Sequence, residues 1–406
     1  MRKRVRTFRY DVVGRKVARK HFELFGNGKK QWKSSPEAVP PAKTVVTARN
    51  ELPQVKLDHL VRLTDDVGIL QHAKFVVPDR NHGYCTDDNA RALVAVLMAR
   101  DIAADSAPIT DLACTYISFL HHALNQENGR FRNFMGYDRR WLEEVGSEDS
   151  HGRAIWGLGE AVALAESEDI RAAAQYVFDE ALPAVIDFTS PRAWAFALVG
   201  IHAYLGRIDG DGEVRRVRDK LADKLLQQYR ENATEDWPWI EDTVTYANGK
   251  ISQALIISGR SLQELEMIQA GLESLEWLLN IQTDPQGHFV PIGNNGWYRR
   301  GGEKARFDQQ PIEAQEIIEA CCAAYEATDD QKWIAAAQRC LDWFFGRNDR
   351  NVALYDRRTG GCRDGLQSDG PNRNQGAEST LACILSLLNI HRLGCHETCM
   401  RYITEA

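Results

Sequence analysis

Beyond residue 50 the hydrophobic positions recur at helical spacing, and no stretch alternates with period two for more than a few residues. The helical segments come in two textures. Segments such as "RAIWGLGEAVALA" and "GAESTLACILSLL" are small and apolar nearly all round, the pattern of helices enclosed by protein. The others carry one apolar stripe: "TDLACTYISFLHHALN", "IRAAAQYVFDEAL", "EVRRVRDKLADKLLQQYR", "SLQELEMIQAGLESLEWLLN" and "QKWIAAAQRCLDWFF". Six enclosed segments open on the related entrances "DDNARAL", "DSHGRAI", "TSPRAWA", "ANGKISQ", "DQQPIEA" and "NQGAEST". Anchored at Asn89, His151, Ser190, Asn248, Gln310 and Gln375, these lie 62, 39, 58, 62 and 65 residues apart.

Six inner helices alternating with amphipathic outer ones predict an all-α (α/α)6 barrel, a six-hairpin toroid, with the six entrances gathered at one end. An open helical solenoid is the alternative that repeats equally well. Only "HETCMRYITEA" follows the last inner helix, so the segment at residues 58–73, "DHLVRLTDDVGILQHA", is expected to help close the ring.

Charge divides the chain. Residues 1–34 hold twelve Lys/Arg against Asp11 and Glu23, and the remainder is acidic enough to bring the formal net charge to −7. We read residues 1–34 as a basic helical arm, 35–50 as a linker holding most of the Pro/Ser-rich "KSSPEAVPPAKTVV" stretch, and 51–406 as the barrel. The arm has few aromatics and no nucleic-acid motif, so a surface helix with Val12, Val13, Val17, Phe22 and Phe25 on one face fits it better. No apolar run reaches the roughly 20 residues of a membrane span. Nine cysteines without a CxxC pair read as reduced thiols of a cytoplasmic protein. The "HRLGCHETC" cluster fits no common zinc spacing and reads as a helix tail.

The entrances carry chemistry at fixed offsets. Two positions before the anchors stand Asp87, Asp149, Tyr246 and Asp308; two positions after stand Arg91, Arg153, Arg192 and Lys250. Helix N-termini present unpaired N–H groups and partial positive charge, so carboxylates are stable there, and helix capping is the structural explanation of any single one. Three equivalent aspartates, with Asp88, Glu241, Asp242 and Glu378, point instead to a lined cavity. The loops "RFRNFMGYDRRW", "EDWPWIEDTVTYANGK", "GNNGWYRRGGEKARFDQQP" and "TGGCRDGLQSDGPNRNQGAES" mix Trp and Tyr with Arg, Asp, Asn and Gln. Aromatic faces suit sugar rings, while amides, carboxylates and guanidinium groups suit hydroxyls. No HExxH, GxSxG or phosphate-binding glycine loop is present.

At "LDHLVRLTDDVGILQHAKFVVPDRNHGYCTDDNARAL", "WPWIEDTVTYANGKISQAL", "FDQQPIEAQEII" and "TGGCRDGLQSDGPNRNQGAEST" the chain resembles a bacterial group of six-hairpin-glycosidase-like proteins, over about residues 50–395. Members often occur fused to, or encoded beside, glycosyltransferases. The arm's "YDVVGRKVARKHFELF" is similar to the last helix of two-domain glycosyltransferases, so a glycosyltransferase is the partner the resemblance implies.

The resulting expectation is a metal-free, cofactor-free, inverting glycoside hydrolase acting on an oligosaccharide or glycoconjugate. Glu241 is the candidate acid, and Asp308 or Asp88 the base. Substrate contacts are expected from Asp87, Asn89, Arg91, Asp149, His151, Arg153, Trp237, Trp239, Asp242, Tyr246, Lys250, Trp297, Gln309, Gln310, Asn374, Gln375 and Glu378. A sugar epimerase or isomerase on the same barrel, and a non-catalytic carbohydrate-binding scaffold, are the alternatives. Deleting residues 1–34 should change solubility or assembly and leave sugar binding intact. Tight, salt-sensitive binding of DNA or RNA that disappears on that deletion would overturn this reading of the arm.

Overall fold

The computed structural model describes residues 52–102 and 108–404, with side chains described up to residue 394. The arm and the linker lie outside the described residues, and the barrel unit spans residues 52–406.

The described helices are α1 (Asp58–Leu63), α2 (Thr86–Ala99), α3 (Ile109–Ala123), α4 (Glu148–Leu164), α5 (Glu168–Ala181), α6 (Pro191–Arg207), α7 (Gly212–Asn232), α8 (Asn248–Leu262), α9 (Leu265–Ile281), α10 (Pro311–Thr328), α11 (Lys332–Phe344) and α12 (Ala377–Thr404). The even-numbered helices form an inner ring in which each packs on the next, and α12 packs back on α2. Helices α3, α5, α7, α9 and α11 each cover the inner helix that precedes them, and the short α1 packs on α12. The sixth outer place is thus taken by the 58–73 region, as its sequence led us to expect. The "HRLGCHETC" stretch continues the α12 backbone as helix.

The two textures explain the layers. In α4 every residue from Asp149 to Gly159 is buried, whereas α7 buries only the stripe Val214, Val217, Leu221, Ala222, Leu225 and Leu226. Inner helices approach closely because small residues face one another: a Cβ on Gly159 would collide with the backbone of Gly200 on α6. Among the described residues the named strands form five two-stranded antiparallel ribbons, one of them the hairpin of β1 (Ala73–Lys74) and β2 (Val77–Pro78).

Contacts between consecutive helix entrances place them at one end of the ring. Glu378 meets Arg91, Asp87 meets Arg153, Asp149 accepts from Ser190, Arg192 donates to Asn248, and Asn248 donates to Glu313. The entrances differ in frame, however. Asn89 and His151 are the fourth residues of α2 and α4, Ser190 and Gln310 are N-caps, and Gln375 precedes α12. Gly159→Ala should destabilise the barrel by about 1–3 kcal/mol through this collision. An unchanged thermal midpoint would show that α4 and α6 are not in such close contact.

Candidate active site

The question raised by "GYCTDDNARAL" is whether its two aspartates merely cap α2, and the structure excludes that. The cap of α2 is Cys85, whose Sγ accepts from the Asp88 N–H at 3.4 Å, and the cap of α4 is Ser147, whose Oγ accepts from Ser150 N–H at 3.0 Å. Asp87, Asp88 and Asp149 therefore sit inside the first turns with their carboxylates free for other work.

Two clusters form on the entrance end. The first surrounds a cavity of about 260 Å³ lined by Asp87, Asp88, Arg91, Gln310 and Glu378 from the helix entrances, and by Gln71, His72, Phe134 and Asp364 from loops. Arg91 is buried and divides its guanidinium between Asp88 (3.0 Å) and Glu378 (3.2 Å). Burial pushes Asp88 up to about 6 against the opposing pull of Arg91, with Glu378 adding to the rise. Asp364 is also raised by burial while accepting from Gly376 N–H (2.6 Å) and Ser379 Oγ (3.1 Å). A larger groove of about 430 Å³ lies on the outer wall between α3 and α5. Ile117, Ile170 and Val177 line it, away from every helix entrance.

The second cluster joins α4, α6 and the loop before α8. Asp149 accepts from Ser190 Oγ (2.7 Å) and from the Tyr246 hydroxyl. Arg192 pairs with Glu241 at 2.6 Å, and its guanidinium lies 4.8 Å from the centre of the Tyr246 ring. Trp297, half-buried with φ of 59°, stands 6.4 Å from that ring. Asp308 is half-buried, its carboxylate without an ion-pair or hydrogen-bond partner among the described residues, and Asp242 is exposed.

Several expected contacts prove to be occupied by protein. His151 is enclosed, its ring nitrogens bonded to Phe131 N–H and the Ala181 carbonyl, and burial drives its pKa down to about 3. Asn89 accepts from Ile69 N–H and donates to the Cys85 carbonyl, and the Gln309 amide serves Arg306, Asp349 and Trp343. Trp237 and Trp239 pack on Trp277 of the outer helix α9 rather than on a cavity wall. Asn374 and Gln375 hold the 73–78 hairpin, and Gln375 also accepts from His59.

A buried charge network joins α4, α8 and α10, and its glutamates are residues that the sequence reading missed. Lys250, fully enclosed, pairs with Glu316 (3.2 Å) and Glu319 and lies 4.6 Å from the centre of the Trp156 ring. Arg153 stacks on Phe196 at 4.3 Å and faces Asp87 at 3.7 Å. Glu313 accepts from Ala247 N–H and Asn248 Nδ2, both at 2.7 Å, and holds Ala247 in the left-handed region at φ 49°. The spacing of Glu313, Glu316 and Glu319 at three-residue intervals in the otherwise apolar α10 was the available signal. Burial pushes Glu313 and Glu316 each up to about 7. Glu316, the more distant of the two carboxylates on Lys250, is raised by burial against the pull of that ammonium.

No protein-family model and no curated protein matches the chain. Solved structures do match. Cellobiose 2-epimerase from Bacillus thermoamylovorans superposes with a TM-score of 0.64 at 14% identity, covering 83% of this chain and 96% of that one. For a D-mannose isomerase the values are 0.59, 12%, 83% and 96%. The GH76A α-1,6-mannanase of Salegentibacter sp. gives 0.56, 10%, 83% and 96%. The chain therefore has the (α/α)6 fold of the six-hairpin-glycosidase-like proteins, and at such identities the likeness is one of fold.

Glu316 binds its proton more tightly in the folded chain than unfolded, so its contribution to stability is full below the ordinary glutamate value of 4.5 and is lost as pH rises through about 7. Buried His151 works in the opposite direction, so the informative quantity is a difference. Between pH 8 and pH 5 the wild type should gain thermal stability relative to Glu316→Gln. A pH-independent gap between the two would refute the buried, protonated Glu316.

Proposed function

We propose that the chain is a carbohydrate-active enzyme that cleaves a glycosidic bond of an oligosaccharide or glycoconjugate in the 260 Å³ cavity. The observation that carries this reading is Asp88. It is a cavity-wall carboxyl pushed up to about 6 by burial, and it faces Glu378 across a shared guanidinium. Unequal environments for two carboxyl groups separate the roles of acid and base. Asp88 then delivers its proton to the leaving oxygen. Glu378, its side chain 44% exposed, takes a proton from the water that attacks the anomeric carbon. Gln71 and Gln310 offer amides for hydroxyl groups, and Phe134 an apolar face.

Glu241, read from sequence as the acid, is bonded to Arg192 at 2.6 Å. We assign it to positioning Arg192 and Tyr246. Asp308, whose carboxylate has no partner among the described residues, remains the second candidate base.

A second reading has one observation of its own. His72 lines the same cavity and packs edge-on against His82 with ring centres 4.5 Å apart. An imidazole there suits proton abstraction next to a sugar carbonyl, and the fold also carries an epimerase and an isomerase.

The test is a panel of manno- and gluco-oligosaccharides with the products separated by size. Shorter sugars mean hydrolysis; an isomer of unchanged size means epimerisation. Under hydrolysis, turnover should decline as pH rises above about 6, because Asp88 then loses the proton it must give. Asp88→Asn should lower turnover by about 10²–10⁴-fold with binding retained. Full activity in Asp88→Asn removes Asp88 from the mechanism. Isomer formation lost in His72→Asn selects the second reading, and binding without turnover across the panel selects a scaffold.

A further inference from the structure

We infer that the rim beside the cavity binds an anionic group, a phosphate or a carboxylate, carried by the glycan whose neutral sugar enters the cavity. This rests on the carbohydrate reading above.

Charge is partitioned between the two places. The cavity lining sets Asp87, Asp88, Asp364 and Glu378 against the single guanidinium of Arg91, so an anion is unwelcome inside. The rim is the reverse. Lys74, Arg80 and Arg373 are exposed, and among the described residues none of them has a carboxylate partner. Arg139 and Arg140, on the adjoining loop, are by contrast paired with Asp66 and Asp138.

What these cations touch instead is aromatic. Arg373 lies 4.9 Å and Lys74 5.6 Å from the centre of the Phe75 ring, and Arg80 lies 5.7 Å from that of Tyr137. A guanidinium resting on a ring is partly desolvated and restrained, and its N–H edge remains free for the two oxygens of a carboxylate or phosphate. Phe75 and Tyr137 are each 45% exposed, so their rings are open to a ligand. Phe75 is also held with φ at 56°, unusual for an aromatic residue. Its N–H donates to Asn374 Oδ1 (3.0 Å) and its carbonyl accepts from Gln375 N–H (2.9 Å). Strain maintained by surrounding bonds at an exposed ring marks a position kept for use.

Continuity with the cavity fixes the ligand's direction. His72, on the cavity wall, is three residues before Phe75, a span of at most roughly 11 Å of extended chain. Gly376, also on that wall, follows Gln375 directly. One glycan therefore reaches both, neutral end inward and anionic end on the rim.

The experiment is calorimetric titration of the full chain with matched probes. These are cellobiose and mannobiose, each disaccharide carrying a terminal phosphate, each ending in a uronic acid, and inorganic phosphate alone. At an ionic strength of ~0.01 M at least one anionic disaccharide should bind about tenfold more tightly than its neutral parent, the sum of a few exposed charge pairs. The gain should vanish at ~1 M. The double variant Arg80→Ala/Arg373→Ala should erase it, with neutral-sugar affinity and thermal midpoint unchanged. A gain with phosphate only, or with carboxylate only, identifies the anion. No gain for any anionic probe, or a gain that survives in the double variant, overturns the inference. Binding is read independently of cleavage: a rim-dependent gain without turnover counts against the hydrolase alone, and turnover without the gain counts against the rim alone.

Discussion

Burying four cations inside one helical ring is the constraint on which the rest of this structure depends. Arg91, Arg153, Arg192 and Lys250 are each 4% exposed or less. Each reaches an element other than its own helix: Glu378 of α12, Asp87 of α2, Glu241 and Asn248 around α8, and Glu316 and Glu319 of α10. A buried charge without a partner is costly, and removing one member of such a pair typically costs about 3–5 kcal/mol. The register of each inner helix against its neighbour is therefore set by where a counter-charge can meet its cation. Aromatic faces of Trp156, Phe196 and Tyr246 contribute to holding them.

These polar links run almost all the way round. They join α12 to α2, α2 to α4, α4 to α6, α6 to α8 and α8 to α10. Between α10 and α12 the entrances are linked instead across the cavity, where Gln310 and Glu378 stand on its wall. The opening thus occurs where the circuit of staples is interrupted. The loop residues Gln71, His72 and Asp364 line the space that is left.

Periodicity made the barrel readable, because burial on all sides or on one stripe leaves a direct trace in residue type. The recurring cation two positions after each anchor was equally visible, and all four of those cations are buried. What could not be read was direction. Cys85 and Ser147 cap where an aspartate was the obvious candidate, which shifts the frame of α2 and α4 and turns His151 toward α5 rather than the cavity. Trp237 and Trp239 keep polar company in sequence, yet Trp277, distant along the chain, supplies the surface they pack on. Gln71, His72 and Asp364 come from loops without period, so only the folded chain brings them to the entrances. Glu313, Glu316 and Glu319 were legible in spacing but lay inside a helix read as apolar.

The arrangement also explains why one fold serves several sugar chemistries. Six N-termini provide a fixed field that stabilises carboxylates, and the outer ring holds the inner one in place, whatever side chains occupy the entrances. In this chain Asp88 is held near the point of giving up a proton, because burial opposes Arg91 rather than yielding to it. A wetter wall would let the Asp88 carboxyl fall, and loss of Arg91 would raise it further. The guanidinium shared between Asp88 and Glu378 therefore pulls the Asp88 carboxyl down against its burial while tying α2 to α12, so closure of the ring and the charge of the cavity wall depend on one side chain.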